Sequence, residues 1–387
     1  MIMKNSPINV IAFSGFYLPG YKGGGPIKTI KNLFDETGKE INFKLITSDH
    51  DLGDKSPYNN ICSNEWNKVG NADVFYTQSG IKGYKQIAQI LSRKDYDLIY
   101  LNSFFSLQFS FFPLLIAKFL RQKIILGPRG EFSAGALNLK SFKKSLFIRF
   151  YKIFCLHYSV VFQASSEFEF LDIKKVLGAK VDIYIAEDIG AQYFTENFPV
   201  SNGSRLNIVF LARISPMKNL LLALEILKQV KHLVTYDIYG PIEDQQYWEQ
   251  CKEIILDLPS NIKVEYKGQL QPSNVIEVLS KYDLFFMPTQ GENYGHVIAE
   301  ALCAGVPILI ADTTPWRNLE EQGIGWDLSL NNPKAFSNVI DTMVMLSEEQ
   351  RLQMRKNVLE WAKNKFSNRE AIEANIDMFN YTISKNR

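Results

Sequence analysis

Metal-binding residues are scarce in this chain: four histidines and four cysteines in 387 residues, none paired at a ligand spacing. Cys62, Cys155, Cys251 and Cys303 form no CxxC, and His50, His157, His232 and His296 form no HExxH. Zinc sites need such clusters, so the sequence predicts no bound metal. Scattered cysteines fit a reducing compartment. A GxSxG elbow and a P-loop are also missing, which removes two common catalytic frameworks. No charge of one sign dominates: 43 Lys and Arg stand against 41 Asp and Glu, a net +2. Nothing global therefore calls for nucleic acid, and any basic patch must be local. The opening stretch MIMKNSPINVIAFSG is too short in apolar residues for an export signal, and we read the chain as cytoplasmic. The longest apolar run, residues 98–120, is broken by Asn102, Ser103, Gln108, Ser110 and Pro113. A buried strand (98–101) and a buried helix (106–120) account for it better than a membrane span does.

What the chain does have is alternation. At 46% hydrophobic and 22% charged it is globular in composition, and its length suits two domains. Strand-like runs at 9–13, 43–47, 74–77, 98–101, 123–126, 160–164 and 181–185 alternate with helical patterns at 27–37, 84–92, 141–154 and 166–177. Residues 48–70 lack a period and read as a loop. The pattern lapses near 188–204, then restarts with strands at 206–211, 235–239, 263–266, 283–288 and 306–310 and helices between them. Helices fill 333–385, with a hesitation at 366–368. Such alternation predicts parallel sheets covered on both faces. We expect an α/β chain of two Rossmann-like domains facing a central cleft: residues 1–188, a linker at 189–204, and residues 205–365. A C-terminal helix at 366–387 is expected to cross back to the first domain.

Four stretches carry chemistry. Residues 283–318 form a strand–loop–helix–strand unit with Glu292 in the loop and Glu300 on the helix. With a helix start near Gly295, Glu300 lies roughly 7–8 Å along the axis at ~1.5 Å per residue. The N–H groups around Tyr294, Gly295 and His296 face outward, ready for an anion. LARISPMKN places Arg213 and Lys218 after the first strand of the second half, where two cations suit a diphosphate. FSGFYLPGYKGGGPI puts Gly23, Gly24 and Gly25 just before a helix, either as a phosphate cradle or as a plain glycine turn. LKSFKKSLFIRFYKIF interleaves Lys140, Lys143, Lys144, Arg149 and Lys152 with apolar residues. It suits an anionic membrane surface or, equally simply, an outer helix with a solvated face.

Together these pieces resemble family 4 glycosyltransferases of the GT-B fold, over essentially the whole chain. The likeness rests on GENYGHVIAEALCAGVPIL, FLARISPMKNL, and GYKGGGPIKTI with TSDHD. The GGGP and PRG segments are similar to those of enzymes of capsule, exopolysaccharide or lipopolysaccharide assembly. The resemblance implies a retaining hexosyltransferase with a nucleotide-sugar donor, a saccharide or lipid-linked saccharide acceptor, and no cofactor or metal. With the basic stretch, the reading is a peripheral place on the inner face of the cell membrane. By matching position, Glu292 holds donor-sugar hydroxyls, Glu300 the ribose, and Arg213 and Lys218 the diphosphate. The N–H groups of Asn293, Tyr294, Gly295, His296 and of Gly23, Gly24 and Gly25 assist them. The departing phosphate helps to take the acceptor proton, so no protein nucleophile is needed. Arg129 stands in GPRG where many relatives carry His-Gly. Arginine cannot act as a base near neutral pH, so Arg129 joins His50 and Glu131 as a candidate for the acceptor side. AEDIG (186–190) replaces a usual PNG-like segment. Two alternatives stay open: a two-lobed sugar or nucleotide-sugar binding protein without transfer, and a nucleotide-sugar epimerase of the same fold.

Overall fold

A computed structural model describes residues 7–138, 141–190, 193–196, 205–367 and 369–385. Most of the expected linker, and Lys140 of the basic stretch, lie outside these residues. The chain forms two compact units, residues 1–189 with 369–387, and residues 190–368.

The first unit begins with β1 (Ile8–Ser14), α1 (Gly25–Thr37), β2 (Ile41–Ser48), β3 (Trp66–Val69), β4 (Ala72–Thr77), α2 (Ile81–Ser92) and β5 (Leu98–Asn102). It continues with α3 (Phe112–Phe119), β6 (Lys123–Gly127), α4 (Ala134–Asn138), α5 (Ser141–Ile153), β7 (Val161–Ala164), α6 (Glu167–Leu177) and β8 (Asp182–Ile185). The sheet order is β3-β4-β2-β1-β5-β6-β7-β8, parallel except for β3. Burial on both faces explains the near-continuous apolar letters of β1 and β5. α1 turns Ile27, Ile30, Leu33 and Phe34 inward at helical spacing. α6 is capped by Ser166, whose hydroxyl accepts from the Glu169 N–H at 3.2 Å.

The second unit holds β9 (Leu206–Leu211), α7 (Leu220–Leu227), β10 (Val234–Tyr239), α8 (Gln245–Leu256), β11 (Ile262–Gly268), α9 (Val275–Leu279) and β12 (Leu284–Met287). After these come α10 (His296–Cys303), β13 (Ile308–Ala311), β14 (Gly325–Leu328), α11 (Pro333–Met345) and α12 (Glu348–Ser367). Its sheet runs β11-β10-β9-β12-β13-β14, all parallel. The last helix, α13 (Glu370–Ser384), belongs to the first unit. It buries Ile372, Met378 and Phe379, and the Phe379 ring lies 5.9 Å from Phe43 and 5.5 Å from Tyr100.

The stretch 98–120 resolves into β5, a π-turn at Leu107–Phe111 and α3. Among the described residues no helix is long and apolar enough to cross a membrane. The aperiodic stretch 48–70 is not all loop, since its end pairs antiparallel to β4 as the edge strand β3.

Candidate active site

In each sheet the strand order reverses beside the first strand of the unit: between β1 and β5, and between β9 and β12. Loops that leave the carboxyl ends of strands at such a switch point diverge and leave a crevice for ligands. In the second unit those loops are 212–219 and 288–295.

The two loops are tied to each other. The Met217 carbonyl accepts from the Gln290 N–H at 2.9 Å and from the Thr289 hydroxyl at 3.1 Å. Asn219 takes a positive φ of 58° between the turn Pro216–Lys218 and α7, a conformation asparagine tolerates better than most residues. This geometry aims Lys218 across the crevice. Its Nζ donates to Glu292 Oε1 at 2.5 Å, with the two side chains 13% and 12% exposed. A cation and a carboxylate drawn so far out of water cost free energy unless well matched, and their pairing offsets that cost.

Arg213 leaves the same loop in another direction. Its Nη1 meets Glu243 Oε1 at 2.7 Å, each side chain 41% exposed, in the loop after β10. Glu243 carried no motif and was invisible to sequence reasoning. Gly240 makes this corner possible. At φ 135° its Cα sits against the next loop so tightly that a Cβ would lie 1.8 Å from the Ala212 carbonyl oxygen.

Gly295 begins α10 at φ 81°, where a Cβ would meet Ile298 at 2.9 Å and Trp316 at 3.2 Å. The Trp316 indole N–H donates to the Tyr294 carbonyl at 2.5 Å, and the Tyr294 ring packs 4.8 Å from the His296 ring. His296 and Tyr294 are therefore buried behind the loop, whose backbone their packing fixes. Glu300 follows one turn along α10, only 7% exposed. Burial, and then the neighbouring Glu300 charge, raises the Cys303 thiol pKa. Lys218, Glu292, residues 293–296 and Glu300 thus share the β9/β12 switch point, with Arg213 at its margin.

In the first unit the glycine loop follows β1. Gly24 takes φ 69° and ψ −134°, which favours glycine, and α1 starts directly after it without a side-chain cap. The loop is held from below by Asp51, whose Oδ2 accepts from the N–H groups of Tyr21 at 2.8 Å and Lys22 at 3.1 Å. Its Oδ1 accepts from the Leu52 N–H at 2.8 Å. Asp51 is the residue of TSDHD that sequence reasoning passed over; an aspartate one step from His50 was the available signal. His50 is partly exposed, with Nδ1 2.8 Å from Asp49 Oδ1 and 3.1 Å from Ser48 Oγ.

Arg129 and Glu131, the other acceptor-side candidates, both make their bonds inside the first unit. The Arg129 guanidinium is buried: Nη1 donates to Asp188 Oδ1 at 2.7 Å, and Nη2 to Asn102 Oδ1 at 2.7 Å and Gln163 Oε1 at 3.0 Å. Nη2 also donates to the Tyr100 hydroxyl. Glu131 accepts from the Ser103 hydroxyl at 2.9 Å, from the Phe105 N–H at 3.1 Å and from the Phe104 N–H. Those bonds favour its charged form, yet burial prevails and raises its pKa. The Asp188 partner of Arg129 lies 59 residues away, beyond the reach of any local pattern.

The basic stretch divides. Lys144 donates to the Ala136 carbonyl at 2.6 Å and Lys152 to the Val176 carbonyl at 2.9 Å, so both serve the fold. Lys143 and Arg149 are exposed. The surprise lies in the apolar residues: Phe142, Leu146, Phe150 and Ile153 are exposed, Phe142 by 81%. At ~100° per residue these four fall within one face of α5, flanked by Arg149 and Lys143, while Phe147, Ile148 and buried Tyr151 face the core.

Among the described residues no group of three or more His, Cys, Asp or Glu side chains gathers as metal ligands. The family model for glycosyl transferases group 1 matches residues 195–361, which include every site residue named in the second unit. A search of curated proteins found no match. Several solved structures share the fold. Anabaena HepE (Alr3699), solved with UDP-glucose, aligns at TM-score 0.72 and 15% identity over 98% of this chain and 100% of its own. Sucrose-phosphate synthase from Thermosynechococcus elongatus aligns at 0.73 and 13% identity over 97% and 99%. WaaG, a glycosyltransferase involved in lipopolysaccharide biosynthesis, aligns at 0.68 and 12% identity over 96% and 99%. The chain therefore has the α/β GT-B fold.

Proposed function

We propose that this protein is a retaining glycosyltransferase that moves a hexose-type sugar from a nucleoside-diphosphate sugar to a saccharide acceptor. The observation that carries the proposal is the Lys218–Glu292 pair, nearly buried at the switch point of the unit that matches group 1 glycosyl transferases. A donor brings both partners what they lack. Its diphosphate takes the Lys218 ammonium, and the freed Glu292 carboxylate accepts from sugar hydroxyls. Glu300 holds the ribose, and the N–H groups of residues 293–296 assist at the diphosphate. Arg213 exchanges Glu243 for the outer phosphate, which an exposed ion pair permits at little cost.

In the reaction the bond from the anomeric carbon to the phosphate oxygen breaks and the bond to the acceptor oxygen forms on the same face. The acceptor proton passes to the departing phosphate. Charge grows on that phosphate in the transition state, where preorganised cations and a helix N-terminus are worth most. Lys218 and Arg213 supply the charge that a metal ion supplies in other transferases. Chelator-treated enzyme is expected to keep its rate.

We extend the proposal to a lipid-linked acceptor of cell-surface polysaccharide assembly, met at an anionic membrane surface. The outward apolar face of α5, between Lys143 and Arg149, supports that extension, as does the involvement of WaaG in lipopolysaccharide biosynthesis. HepE, solved with UDP-glucose, makes UDP-sugars the first donors to try.

The test begins with a panel of nucleotide-sugars scored by thermal stabilisation, followed by transfer assays with the donor so found. Lys218→Ala should cut turnover by about 100- to 1,000-fold, the usual loss of one preorganised transition-state donor. Undiminished turnover would sink the site. Tight donor binding with no transfer to any acceptor would favour the sugar-binding alternative.

A further inference from the structure

An open cleft of about 380 Å³ lies in the first unit, far from the glycine loop. Its walls come from the amino ends of β6, β7 and β8, whereas the glycine loop leaves the carboxyl end of β1 in the same parallel sheet. Lys118, Lys123 and Lys385 line it, with Asp182, Tyr158 and Ser159. Three ammonium groups against one carboxylate leave the cleft cationic.

Each lysine is held in place. Lys118 Nζ donates to the Phe154 carbonyl at 3.2 Å, Lys123 to the Ile383 carbonyl, and Lys385 to Asp182. An ammonium has three N–H donors and a single carbonyl takes one. The carbonyl ends of α5 and α13 thus orient Lys118 and Lys123 without using up their capacity to bind an anion.

The rim is aromatic. Tyr158 lines the cleft and is exposed, and so is Phe154, whose carbonyl holds Lys118. The Phe154 ring packs 4.3 Å from Phe150, so the rim continues directly into the outward face of α5. A fixed cationic cleft beside exposed aromatic rings matches the interface of a bilayer, where phosphates and hydrocarbon meet.

We infer that this cleft binds the phosphate of an anionic lipid headgroup while the aromatic rim and α5 enter the acyl boundary. A free phosphate would use the lysines and leave the rim without a function. The inference rests on the membrane reading of α5 proposed above and adds to it a specific headgroup site.

Vesicle flotation tests the site, comparing phosphatidylcholine with and without phosphatidylglycerol. The full-length chain should partition to anionic vesicles about tenfold more tightly than to neutral ones, and added salt should narrow that gap. Lys118→Ala with Lys385→Ala should shrink the gap below about threefold and leave neutral-vesicle binding unchanged, with the thermal transition preserved as the check on folding. Phe142→Ser with Phe150→Ser should lower binding to both. An undiminished gap in the lysine variant overturns the site. Should the wild type bind neither vesicle, the membrane reading fails, and the cleft is then judged by calorimetry with soluble dihexanoyl-phosphatidylglycerol. Binding that the lysine variant loses upholds the cleft. No binding, or equal binding of inorganic phosphate, overturns it.

Discussion

A guanidinium that is buried against a carboxylate and several neutral acceptors is hard to replace. Arg129 holds Asp188, and Asp188 in turn accepts from the Thr29 hydroxyl of α1 at 2.8 Å. Removing the arginine leaves that carboxylate buried without the guanidinium's charge. Arg129→Ala should therefore cost about 3–5 kcal/mol, read as a lower urea midpoint with an unchanged slope. Replacing Arg129 and Asp188 together with apolar residues of similar volume should recover much of it. Lys218 differs in kind: its loss should spare stability more than turnover, because its pair keeps some access to water. The contrast separates a residue that holds the fold from one whose proposed role is to meet a ligand.

At the scale of elements, α8 and α10 each bury one thiol. Burial pushes Cys251 up to about 12, and Cys303 is raised too. At pH 8 only about one Cys251 in ten thousand is then thiolate, the form that reacts. A disulfide exchange reagent should modify the exposed Cys62 and Cys155 promptly, and Cys251 and Cys303 only in denaturant, as a thiol count with time will show. Elements were also where the letters spoke most clearly. β1, β5, β9 and β12 are buried on both faces, so their apolar runs stand out, and GENYGHVIAE announced the loop and α10. β3 and β14 escaped notice because each is four residues long and only partly buried, without a full period. The pairing of Asp51 with Tyr21 and Lys22, and of Arg213 with Glu243, joins residues about 30 apart. No local pattern encodes such a partner.

Over the whole molecule the chain passes between its units twice, at 189/190 and 368/369. The first passage leaves from a clamped segment. The Ala186 carbonyl accepts from Gln163, the Glu187 carbonyl from Asn375 and the Ile189 carbonyl from Asn32. α13 is therefore part of the first unit's structure and no appendage. Ending the chain at residue 367 would expose the surfaces that Ile372, Met378 and Phe379 cover. At about 2 kcal/mol for each such side chain, the loss of about 6 kcal/mol rivals the stability of an ordinary domain. Limited proteolysis of that truncation should cut the first unit rapidly and spare residues 205–361 as a resistant core. The same helix dictates an order of events at the ribosome. Residues 1–189 emerge first but cannot close their core until 369–385 have followed, so the later-made unit has all its parts sooner. During synthesis the first-made half stays open until its last helix arrives, and translation that stops short leaves a finished second unit tethered to an unfinished first one.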